Sequence, residues 1–131
     1  MNDTPYAMHR LLPGVSYEAA VERVTRALET EGFGILTTID VSATLKKKLD
    51  ADFRPYVILG ACNPGLAHRA LSEDDNIGLL LPCNVVVAET GDGAEISIAS
   101  PRAMLDIAGT DAIRPIADEA EERLGRALAA A

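Results

Sequence analysis

Apolar and polar positions along the chain alternate between the periods of strands and helices. Tyr6 to Leu12 reads as a short strand closed by the turn dipeptide Pro13-Gly14. Ser16 stands as an N-cap, with Glu18 in the first turn, where a carboxylate meets the positive end of the helix dipole. Tyr17, Val21, Val24 and Leu28 then recur at helical spacing, Glu22 and Arg26 pair at i,i+4 on the other side, and Gly32 supplies a stop. Phe33, Ile35, Thr37, Ile39 and Val41 alternate with Gly34, Leu36 and Thr38, as in a strand. A short helix to Leu49 follows, capped by Ser42 or by Asp40 itself. Pro55 opens a third strand, Tyr56 to Cys62, apolar on both faces and therefore assigned a central place.

Asn63 caps the next helix and Pro64 occupies its first position, where a missing N–H costs nothing. Leu66, Ala67, Ala70 and Leu71 share its apolar face. Two further strands, Asn84 to Glu89 and Glu95 to Ser100, flank Thr90-Gly91-Asp92-Gly93, a hairpin signal because Gly and Asp accept the positive φ of tight turns. Arg102 to Ile107 forms a helical turn, and a last helix from about Ala112 to Ala130 carries a stripe from Ile113 through Leu124 to Leu128. The order predicts one α+β domain over residues 1–131, a two-layer sandwich of a mixed sheet with helices on one face, a late β-hairpin and a C-terminal helix.

Composition narrows the function. The net charge of −8 argues against nucleic acid, whose phosphates need clustered cations, and Lys46-Lys47-Lys48 reads as a solvated helix face. No apolar run approaches the about 20 residues of a membrane span, and MNDTPYAMHR has no basic segment followed by an apolar one. A cytoplasmic protein without membrane or nucleic-acid partners is the expectation. No nucleophile elbow, phosphate-binding loop or dinucleotide fingerprint is present.

The unexplained chemistry is in two sulfurs. Cys62 ends the third strand just before a helix N-cap, a place where backbone N–H groups and the helix dipole favour an anion and lower a thiol pKa. Cys83 begins the following strand and lies beside Cys62 if those strands are neighbours. Four readings follow: two apolar core thiols, a reactive redox pair, a metal site, or a disulfide disfavoured by a cytosolic setting. The metal reading has Cys62, Cys83, His68 and His9 as donors, too scattered for a closed zinc site but enough for a soft ion such as copper(I). Helical geometry turns His68 away from Cys62, and Asp40 either caps its helix or faces the same pocket. Glu73-Asp74-Asp75 reads as an exposed helix end before a loop.

Gly32-Phe33-Gly34 leading to Ile39-Asp40, Tyr56-x-Ile58-Leu59-Gly60-Ala61-Cys62-Asn63-Pro64, and Gly78-Leu79-Leu80-Leu81-Pro82-Cys83-Asn84-Val85 together resemble the domain of unknown function 302 family. The resemblance covers about Tyr6 to Pro101 and implies a small α+β homodimer with no established activity. Relatives with Gly before the Asn-Pro pair imply that the thiol is dispensable to the fold. The combined expectation is a small homodimeric binding protein that holds a small molecule or ion near Cys62, Asn63 and Cys83, with Asp40 and His68 as weaker candidates and no cofactor assigned. The alternative is a thiol redox or sulfur-transfer enzyme using the same cysteines as catalytic groups. A third reading has apolar Ile77 to Leu81 in a dimer interface.

Overall fold

The computed structural model describes residues 4–131. Strand β1 (Ala7–Pro13) leads into helix α1 (Tyr17–Thr30), capped by Ser16, whose hydroxyl accepts from the Ala19 N–H. Strand β2 (Gly34–Asp40) and helix α2 (Val41–Leu49) follow, then β3 (Tyr56–Cys62), α3 (Pro64–Glu73) and a 3₁₀ segment over Asp75–Leu80. Strands β4 (Cys83–Thr90) and β5 (Gly93–Ala99) form the hairpin, and α4 (Pro101–Leu105) and α5 (Arg114–Ala130) close the chain.

The five strands form one sheet in the order β1-β5-β4-β3-β2. Every pair is antiparallel, which corrects the mixed sheet expected from the alternating elements. The reason is local. The excursion through α3 and the 3₁₀ segment ends where β3 ended, with Cys83 opposite Ala61, so β4 must run back along β3. β3 is interior, as its two apolar faces suggested, with β2 outside it at the edge.

The core lies between one sheet face and the helices. Val57 and Leu59 of β3, Val85 and Val87 of β4, and Ile96 and Ile98 of β5 point to the same side and are buried. Against them pack Val24 and Leu28 of α1 and the whole predicted stripe of α5, from Ile113 through Leu124 to Leu128. Arg10 of β1 ties the layers together by donating to the carbonyls of Leu128, Ala129 and Ala131 at the end of α5, a cation meeting the negative end of the helix dipole.

Two local expectations change. A bulge between Ile35 and Thr37 breaks the alternation of β2, so Ile35 and Thr37 do not share a face, and Val41 lies in α2. The connection Gly91-Asp92 closes the hairpin in two residues, with Thr90 opposite Gly93, yet neither turn residue has positive φ. Left-handed backbone occurs instead at Gly14, Gly32, Gly109 and Asp50, each at the end of a strand or helix.

Candidate functional site

The end of β3, the first turn of α3, the 3₁₀ segment, the start of β4 and α4 surround a cavity of about 60 Å³. Its walls are overwhelmingly apolar: Phe33, Leu66, Leu80, Met104, Ile116 and small alanines. Cys62, Asn63 and Cys83 also border it, so the fold brings these three expected residues to one place. The cysteines are free thiols on adjacent strands, offset by one rung: Cys83 faces Ala61, and Cys62 is the next residue along β3. Successive residues of a strand point to opposite faces, and Ala61 belongs to the buried, helix-facing set. Cys83 therefore lies on the helix side with Ala61, whereas Cys62 follows the Ile58 and Gly60 side of the sheet. The two thiols flank the cavity without forming a cross-strand pair.

The electrostatics run against the activated thiol expected from the helix N-terminus. Desolvation by burial raises the Cys62 pKa. Cys83 is pushed from 9.0 up to about 11, first by burial and then by the repulsion of a charge on Cys62. The cause of the difference is Asn63. Its side-chain oxygen accepts from the Leu66 N–H at 3.1 Å, and Pro64 has no N–H to offer, so the helix end is already largely satisfied. The Asn63 amide also donates to the Glu31 carbonyl at 3.4 Å, to which Arg123 donates at 3.2 Å. Asn63 thus fastens the start of α3 to the end of α1. Asn63→Ala is expected to cost about 1–2 kcal/mol in urea denaturation, the usual range for a lost N-cap, with alkylation of both thiols unchanged in the folded protein. Unchanged stability would show that the cap and its bridge carry no weight.

Two weaker candidates are not brought to the cavity. Asp40 pairs with Val57 across the β2–β3 ladder, whereas Cys62 pairs with Gly34, which separates them by about 17 Å of strand. Its carboxylate caps α2, accepting from the Ala43 N–H and the Ser42 hydroxyl, and the same two bonds lower its pKa. Ser42 is therefore a partner of the cap, not the cap. His68 is exposed on α3, opposite the buried Leu66 and Ala70, because the helix turns it outward. The metal reading loses its further ligands in the same way. His9 lies on β1, three strand spacings or about 14 Å from β3, and its ring bonds the hydroxyls of Thr4 and Ser97. Among the described residues no three His, Cys, Asp or Glu side chains gather as a metal site.

Sequence reasoning missed Met104, Leu66 and Phe33 as walls of the cavity. Met104 lies on α4, 21 positions after Cys83, and no local pattern connects them. Ile77, from the proposed interface run, is buried in the core, and Leu80 faces the cavity.

Comparison with known proteins agrees with this architecture. The family described as "Domain of unknown function DUF302" matches residues 9–131. The chain belongs to the DUF302 family. A solved DUF302 structure, described as an uncharacterized conserved protein from Bacillus stearothermophilus, is similar at 31% identity and a TM-score of 0.87. The similarity covers 96% of this chain and 98% of that one. None of the curated proteins matches the chain. The DUF302 assignment confirms the family expected from the three sequence blocks and brings no activity with it. No helix among the described residues is long and apolar enough to cross a membrane.

Proposed function

We propose that this DUF302 chain is a cytoplasmic, homodimeric binding protein whose ligand is a small apolar molecule, or the apolar end of a larger one, held beside Cys62 and Cys83. The observation that carries the reading is the cavity itself: apolar walls at a sheet end, with Asn63 and two thiols as its polar border. A volume of about 60 Å³ corresponds to roughly two water molecules of liquid, which limits the buried part to a few heavy atoms. Apolar lining of this kind favours an uncharged group over an ion. Two unpaired cysteines suit a reducing compartment. The enzyme alternative has weaker support, since both thiols are held protonated and a thiol must ionise to act as a nucleophile.

Xenon is a suitable apolar probe of the cavity. Methyl NMR spectra recorded under xenon pressure are expected to shift at Leu66, Leu80 and Met104 and to stay fixed at Leu11 and Ile39 on the far side of the sheet. Ala67→Leu, which fills the cavity from its half-buried rim, abolishes the shifts. Shifts scattered over the molecule, or none at all, would reject the site.

A further inference from the structure

One face of the sheet carries no helix layer, and its side chains follow from the register. His9, Ser97, Val86, Ile58 and Ile39 lie directly across from one another on all five strands. Leu11, Glu95, Ala88 and Tyr56 form the neighbouring row. The apolar members stay open to solvent: Ile39 is 48% exposed and Leu11 40%, and Leu36, displaced by the bulge, is 67% exposed. Phe53 extends the patch by packing edge-on against Tyr56, with ring centres 5.8 Å apart. An uncovered apolar sheet of five strands is unusual on a soluble monomer of this size.

We propose that this open face is the surface on which a second copy of the chain docks, an inference that rests on the homodimeric reading and names its interface. The first argument is area. The chain exposes 7329 Å², against about 6,700 Å² expected for a folded monomer of its 13.9 kDa. The excess is close to the roughly 800 Å² that each partner contributes to a standard interface. The second argument is charge. A chain of net charge −8 meets itself with least repulsion where the surface is nearly neutral, and these two rows hold a single carboxylate, Glu95. Its Oε2 is buried with no hydrogen-bond partner among the described residues. Arg54 lines the same groove as Glu95, stacks over Phe53 and has no ion pair among the described residues. An isologous pairing brings such a cation to the rim of a second copy's face, where it offers the missing donor.

Sedimentation velocity over a concentration series separates the outcomes. The unaltered protein is expected to be a dimer, and Leu11→Lys or Ile39→Lys to raise its dissociation constant at least about tenfold. Both substitutions sit at exposed positions, and circular dichroism checks that each variant stays folded. Leu79→Asp, at the 85% exposed position on the 3₁₀ segment, serves as the comparison and leaves the dimer intact. If the unaltered protein is monomeric throughout, the homodimeric reading fails and this one with it. If it dimerises and only Leu79→Asp dissociates it, or none of the three does, the homodimer stands and the open sheet face is overturned as its interface.

Discussion

Gly93→Ala is expected to lower the stability of the fold by about 3 kcal/mol or more, at the upper end of what overpacking costs. Gly93 is the first residue of β5 and pairs with both Pro13 of β1 and Thr90 of β4. A methyl group at its Cα meets the Leu12 carbonyl oxygen at 2.2 Å, the Gly14 nitrogen at 2.9 Å and the Pro13 Cα at 3.1 Å. All three are backbone atoms, so no side-chain rotation relieves the contact. Either the β1–β5 ladder opens at its end, or β1 shifts and draws Leu12 out of the core. The Gly14 N–H bond to the Asp92 carbonyl at 2.7 Å closes the same corner and is lost with it. Gly91, two residues earlier in the hairpin, has open space at its Cα and ordinary backbone angles. Gly91→Ala is therefore expected within about 0.5 kcal/mol of the unaltered protein. Urea midpoints of the two variants make the comparison, and equal midpoints would show that the corner yields without cost.

What the sequence made legible, and what it did not, divides along the range of the forces involved. The N-caps Ser16 and Asn63, the first-turn prolines, the hairpin and the buried stripe of α5 depend on residues within one or two turns, and a short window contains all the information. The bulge at Leu36 was hidden because its neighbours alternate correctly; the slip is fixed by pairing with β3. Sheet order and direction were hidden for the same reason. Asp40 read equally well as a cap or a pocket residue, and only the β2–β3 register sends it to the far end of the sheet from Cys62. At the candidate site, position along the chain correctly placed Cys62 and Cys83 beside each other in the sheet. It misjudged their chemistry, because a helix dipole is a local feature whereas burial under Met104, Leu66 and Leu80 is assembled from distant segments.

That burial has a consequence for stability at alkaline pH. Part of Cys83 reaches the surface, yet its thiol is desolvated enough to titrate near 11 instead of 9.0. A thiol whose pKa is raised by folding favours the native state only while it is protonated. Its contribution is complete below the unfolded-state value of 9.0 and is lost as pH rises through about 11. A shift of two units corresponds to about 2–3 kcal/mol, since each unit is worth about 1.4 kcal/mol. Cys62 adds to the loss in the same direction, and so does Tyr17, whose phenol is raised by burial and by the nearby Asp40 and Glu18 carboxylates. Comparison with Cys83→Ala isolates the Cys83 share, because the variant keeps every other titrating group. Unfolding free energies from urea titrations are expected to fall more steeply with pH for the unaltered protein than for the variant. The two curves should converge or cross by about 2–3 kcal/mol between the two pKa values. Ionising Cys83 in the folded protein would place a charge against the apolar wall of the cavity, so xenon binding should weaken over the same interval. Parallel curves for the two proteins would mean that the Cys83 thiol is solvated in the native state. The cavity would then be open to water at its cysteine end.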